Sequence, residues 1–146
     1  MKKLVLITVF VCVALWGCAH DDGRRVDTAL DAPGGRVLDT RWKLVELWGK
    51  PVADIERHPF IQLHSKDGRM SGFGGCNSLS GAYELKTGMR LRFTNIAATM
   101  MACPDMELER EFFNVLNMTD NFACDGNTLF LHKARMAPLA RFEAAD

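Results

Sequence analysis

The sequence has no excess of charge of either sign, since 18 Lys and Arg are matched by 18 Asp and Glu. Without a basic face or stripe there is no electrostatic basis for holding a nucleic-acid backbone, so nucleic acid is not an expected partner. Nor is there an apolar run of the roughly 20 residues that a membrane-spanning helix requires. No P-loop and no dinucleotide-binding glycine pattern occurs, and the histidines lack a metal-ligand spacing such as His-x3-His. No segment repeats beyond a recurrent hairpin signal. What is present is a chain of 146 residues, 48% hydrophobic, with 9 Phe and 3 Trp. That suits one domain with one core and excludes a wholly disordered chain.

The first residues set the compartment. Met1-Lys2-Lys3 is a short positive start, and Leu4 to Leu15 is a nearly unbroken apolar run. A basic start, about a dozen apolar residues and small residues after them read as a secretory signal. It ends in Leu15-Trp16-Gly17-Cys18, which resembles the lipobox of bacterial lipoproteins, where cleavage falls before the cysteine. The expectation is a lipoprotein signal peptide over 1–17 and a mature chain that begins at a lipidated Cys18. Several acyl chains on one residue anchor firmly to a membrane. Ala19 follows Cys18 where an Asp would retain the protein at an inner membrane. The expected location is therefore the cell envelope, on the periplasmic face of the outer membrane if the host is Gram-negative. Residues 18–39 hold glycines, Pro33 and several Asp without apolar periodicity, and read as a flexible tether.

From residue 40 to 143 the pattern is that of strands around one helix. Arg41 to Leu47 alternates, with Trp42, Leu44 and Glu46 expected on one face and Lys43, Val45 and Leu47 on the other. Phe60–His64 and Arg69–Phe73 flank a turn ending in Gly68, and Ala82–Leu85 and Met89–Phe93 flank one ending in Gly88. Asn121–Cys124 and Thr128–His132 flank Asp125-Gly126-Asn127, a third hairpin. Pro138–Phe142 reads as a closing strand. Between these, Leu108, Phe112, Val115 and Leu116 fall on one stripe of a helix predicted over Met106–Leu116. The fold class is α+β, a strongly curved antiparallel sheet or small open barrel with one packed helix.

Gly72, Gly74 and Gly75 around Phe73 predict a bulge or left-handed turn, in which Asn77 bonds neighbouring backbone. Glu107, Glu109 and Glu111 read as a solvated helix face, not as an acid–base pair. Met100, Met101, Met106 and Met118 read as fillers of an irregular core, the alternative being an adaptable groove for a lipid tail or peptide. Phe112 and Phe113 are adjacent and cannot share one helix face. Cys76, Cys103 and Cys124 belong to the domain, which in an oxidising compartment allows one disulfide among three pairings. A thiol enzyme would pair Cys76 or Cys103 with His64 or His132, but no spacing brings them together. No catalytic residue, metal site or cofactor is expected.

The order Trp42-Lys43-Leu44, Gly72-Phe73-Gly74-Gly75-Cys76-Asn77, Gly81-Ala82-Tyr83, Thr99-Met100-Met101-Ala102-Cys103-Pro104 and Leu129-Phe130-Leu131 resembles the META domain, the family of the HslJ-type heat-shock lipoproteins. The resemblance implies a compact α+β domain and a Cys76–Cys103 disulfide, because both cysteines lie in its motifs. It implies no catalytic set, and a setting in envelope stress or antibiotic tolerance. The resulting expectation is a non-enzymatic lipid-anchored envelope protein that works by binding an envelope protein or a hydrophobic ligand. The alternative is a periplasmic carrier or pilotin-like chaperone that holds an acyl chain or hydrophobic peptide, by analogy of fold.

Overall fold

The computed structural model describes residues 31–32, 35–53, 55–104 and 106–145. The expected signal peptide and Cys18 lie outside the described residues. Two short strands, β1 (Asp31–Ala32) and β2 (Gly35–Arg36), pair with each other. Val37 follows them fully buried in the core, and its carbonyl accepts the Trp42 indole N–H at 2.9 Å. Packed chain therefore extends into the stretch expected as tether.

The main sheet is antiparallel throughout. Its strands are β3 (Arg41–Leu47), β4 (Lys50–Pro51), β5 (Phe60–His64), β6 (Arg69–Phe73), β7 (Ser78–Lys86), β8 (Arg90–Ala98), β9 (Asn121–Asp125), β10 (Thr128–His132) and β11 (Ala140–Ala145). They run in the order β8-β7-β6-β5-β3-β11-β10-β9, with β4 against the end of β3. The sheet curls into a half-barrel, and at one corner its ends touch: the Phe122 N–H donates to the Met89 carbonyl at 3.0 Å. The helix α1 (Glu107–Met118) connects β8 to β9 and packs against β8. It buries Phe112, Val115 and Leu116 among Trp42, Leu44, Ile61, Leu91, Leu129 and Phe142. Phe112 meets Phe142 ring to ring at 5.9 Å. The helix starts just after Pro104 with Glu107 and Glu109 in its first turn, where the helix dipole favours acidic groups. It ends at Thr119, whose backbone is extended and whose hydroxyl donates to the Val115 carbonyl at 2.8 Å.

The α+β half-barrel with one helix is the architecture that the sequence predicts, and the three hairpins form where the turn glycines stand. Two local expectations are corrected. On β3 it is Leu47, not Glu46, that joins Trp42 and Leu44 in the core. The register with β11 pairs Leu44 with Phe142 and Glu46 with Arg141, so Val45 is an extra residue. Such a bulge reverses the alternation beyond it. The closing strand runs from Ala140 to Ala145, later than Pro138–Phe142, since Pro138 and Leu139 precede the ladder.

Candidate functional site

The glycine-rich segment ends β6 and turns beneath the first turn of α1. Gly72 lies in β6, where an added Cβ would come within 2.6 Å of the Phe60 carbonyl. Gly75 has φ of +117°, which an L side chain rarely adopts. Gly74 leaves room for Glu109, whose Cγ and Oε2 would each lie 2.6 Å from a Cβ placed there. Glu109 is only 7% exposed, which corrects the expectation of a solvated acidic face. Its Oε2 accepts the backbone N–H groups of Cys76 at 3.1 Å and Asn77 at 2.6 Å, and its Oε1 accepts the Asn77 amide at 2.7 Å. Buried polar groups persist only when bonded in this way. Glu107 is exposed, and Glu111 is half-buried with its Oε2 accepting the Trp48 indole N–H at 3.2 Å.

Asn77 bonds far beyond its neighbours. Its Oδ1 accepts the Thr99 hydroxyl at 2.8 Å and the Met101 N–H at 2.7 Å, while its Nδ2 also donates to the Met101 carbonyl at 3.2 Å. Every donor and acceptor of this side chain is used, so its orientation is fixed by its partners. Cys76, next to it, is disulfide-bonded to Cys103. Asn77, Glu109 and the disulfide together pin the segment from Thr99 to Cys103 against α1.

That pinned segment forms one wall of a groove of about 600 Å³. The other wall is α1, and between them lie Met100, Met101, Ala102, Met106 and Phe113 over a floor that includes Asn77 and Glu109. Met100 is completely exposed and Met101 is 57% exposed. Of the four methionines expected to fill the core, Met100, Met101 and Met106 stand outside it and Met118 alone packs against it. The hydrogen bonds of Asn77 take the Met101 backbone at the surface and leave its side chain outside. Phe112 takes the buried position on α1 and Phe113 the groove.

The family model of the META domain matches residues 35–146. The chain belongs to the META domain family. No curated protein matches it. Among solved structures, the META domain here is similar to a protein from Burkholderia xenovorans determined by NMR, at 24% identity and TM-score 0.59, over 75% of this chain and 83% of that one. It is similar to a second NMR structure at 26% identity and TM-score 0.56, over 71% and 87% of the two chains. A DUF4847 family protein from Bacteroides vulgatus shares the fold at 16% identity and TM-score 0.56, over 73% and 93%.

In this META domain the thiol-enzyme arrangement does not form. Cys76 and Cys103 are bonded to each other. His64 Nε2 lies 2.8 Å from the Ser71 hydroxyl and His132 Nδ1 lies 3.4 Å from the Met136 carbonyl. Cys124 is a reduced thiol, buried, and burial first and the nearby Asp125 second push it above the ordinary thiol value. A raised thiol is a poor nucleophile at neutral pH. Among the described residues no group of three His, Cys, Asp or Glu side chains could hold a metal ion, and no helix is long and apolar enough to cross a membrane. The residue that sequence reasoning missed is Glu109. The one signal for it is its position in the Leu108–Phe112 turn, a single residue off the apolar stripe.

Proposed function

We propose that this protein is a non-enzymatic, lipid-anchored component of the bacterial cell envelope that binds a hydrophobic segment of a partner protein in the methionine groove. The observation that carries the reading is that Met100, Met101 and Met106 stand exposed, with half-buried Phe113, around one groove whose outer wall is clamped by a disulfide. Methionine side chains adapt to varied apolar surfaces, and a wall already ordered loses little entropy on binding. Lipidation at Cys18 would keep the domain at the membrane, and the stress-tolerance setting follows from the resemblance to the HslJ-type lipoproteins.

A peptide suits the groove better than an acyl chain. Met100 stands wholly in solvent, so the groove is open and would leave one side of a lipid tail wet. The test uses the full-length protein in phosphatidylcholine nanodiscs and a fluorescein-labelled decapeptide rich in Leu and Phe. Anisotropy should rise saturably and fall back when Met100→Asp or Phe113→Asp is introduced. A stoichiometric lipid adduct in native mass spectrometry, with no peptide binding, would replace this reading with the carrier. Neither signal would discard binding at the groove.

A further inference from the structure

A second feature lies on the outer face of the sheet, away from α1, and is independent of the groove. Phe60 of β5 and Phe73 of β6 are direct cross-strand partners, so their rings share one face. That face is opposite the core, because Ile61, the next residue on β5, belongs to the packed core cluster, while Phe73, although buried, lies outside that cluster beneath Arg57. The Arg41 guanidinium lies 3.6 Å above the Phe60 ring centroid and that of Arg57 lies 4.2 Å above Phe73. Lys43 stands opposite Phe60 in the ladder. Arg41, Lys43, Arg57 and His58 line one hollow of about 300 Å³ with the two rings.

Exposed arginines normally find a carboxylate. Among the described residues, neither Arg41, Lys43 nor Arg57 has one within ion-pair distance. Glu143, which faces Lys43 across the ladder, is taken by Arg141 at 3.1 Å. Glu56 also borders the hollow and leaves it with net positive charge. A guanidinium laid flat on an aromatic ring keeps its N–H donors in its own plane, pointing past the ring edge. Two guanidinium groups seated over neighbouring rings, beside an ammonium, leave N–H donors available to a single anion in the hollow.

We infer that this hollow is a binding site for a phosphate ester group. Three cations exceed what one carboxylate would neutralise and match a tetrahedral anion with several oxygens, for which arginine forks are suited. The small volume fits one headgroup-sized moiety. Its source is either a free phosphomonoester or the headgroup of an anionic lipid.

Hydrogen–deuterium exchange of the Ile55–Phe60 segment, in the full-length protein, reads both sources. In phosphatidylcholine nanodiscs with glycerol 1-phosphate at ten times its Kd, exchange should slow about tenfold, because the ligand binds the native segment. In phosphatidylglycerol nanodiscs without additive, comparable slowing identifies the lipid headgroup. Arg41→Gln and Arg57→Gln should each weaken binding about tenfold or more, whereas Arg135→Gln, the same charge change on an exposed residue elsewhere, should not. No slowing in either arm overturns the proposal. So does slowing that survives in both Arg41→Gln and Arg57→Gln, since the ligand would then sit elsewhere. Unchanged baseline exchange in β9 and β10 shows that the variants are folded.

Discussion

Glu109 and Asn77 are joined twice although 32 residues separate them: the Glu109 carboxyl accepts the Asn77 backbone N–H at 2.6 Å and its side-chain amide at 2.7 Å. This contact ties the start of α1 to the turn after β6, and through Met101 it shapes the groove wall.

Glu109→Ala leaves the Cys76 and Asn77 N–H groups without their acceptor, and each such loss costs on the order of 1–3 kcal/mol. We expect destabilisation of about 3 kcal/mol, measured by urea denaturation. Glu109→Gln should lose about 2 kcal/mol. Its amide N–H2 must face either the backbone donors or the Asn77 amide, and Asn77 cannot flip because its Oδ1 already accepts from Thr99 and Met101.

Gly74→Ala places a methyl 2.6 Å from the Glu109 Cγ and Oε2. The carboxyl can yield only by breaking its hydrogen bonds, so the expected cost is about 2 kcal/mol. In a Glu109→Ala background the same change should cost markedly less. A double-mutant cycle measures this coupling, and strict additivity would show that Glu109 is not what Gly74 accommodates.

The Cys76–Cys103 bridge spans 27 positions, for which the chain-entropy contribution is about 3.5 kcal/mol. Replacing both cysteines by Ser should lower stability by about 2–4 kcal/mol. It should also raise amide exchange in the Thr99–Cys103 segment more than in β10. Equal changes in both regions would mean that the bridge does not specifically hold the groove wall.

Stability should fall in alkali. Cys124 is raised from 9.0 by burial and then by Asp125, and Tyr83 is raised from 10.0 by burial, then by Asp39 and Asp67. Both groups stay neutral longer in the folded chain than in the unfolded one. Their contribution is complete below about pH 9 and is lost as the unfolded chain ionises first. Denaturation midpoints at pH 7 and pH 10.5 should differ less in Cys124→Ala than in the parent. The Tyr83 hydroxyl, which donates to the His64 carbonyl at 2.9 Å, sustains the remaining difference.

Lipidation is checked by intact mass of protein extracted from membranes. The expected chain starts at Cys18 with diacylglycerol and N-acyl groups, and Cys18→Ser should release the protein from the membrane fraction. A soluble parent chain would remove the envelope part of the proposed function.

Much of the fold was legible because it is local. Turn glycines at Gly68, Gly88 and Gly126 each sit at positive φ between strands whose alternation is visible in the sequence. The helix stripe of Phe112, Val115 and Leu116 follows from the period of 3.6 residues. The β3 face was misread at Leu47 because a bulge depends on pairing with β11, nearly 100 residues away. Glu109 was misread because three acidic residues at alternate positions look solvated until a partner turn is brought against one of them.

By itself the sequence determined the curled α+β sheet, its hairpins, the single helix and membership of the META family, because these rest on residue spacing and turn chemistry along the chain. Only the tertiary structure decided which methionines are outside, which glutamate is inside, and that Arg41 and Arg57 share one aromatic pair. Burial and hydrogen bonding depend on which distant segments meet, and local periodicity carries no record of that meeting.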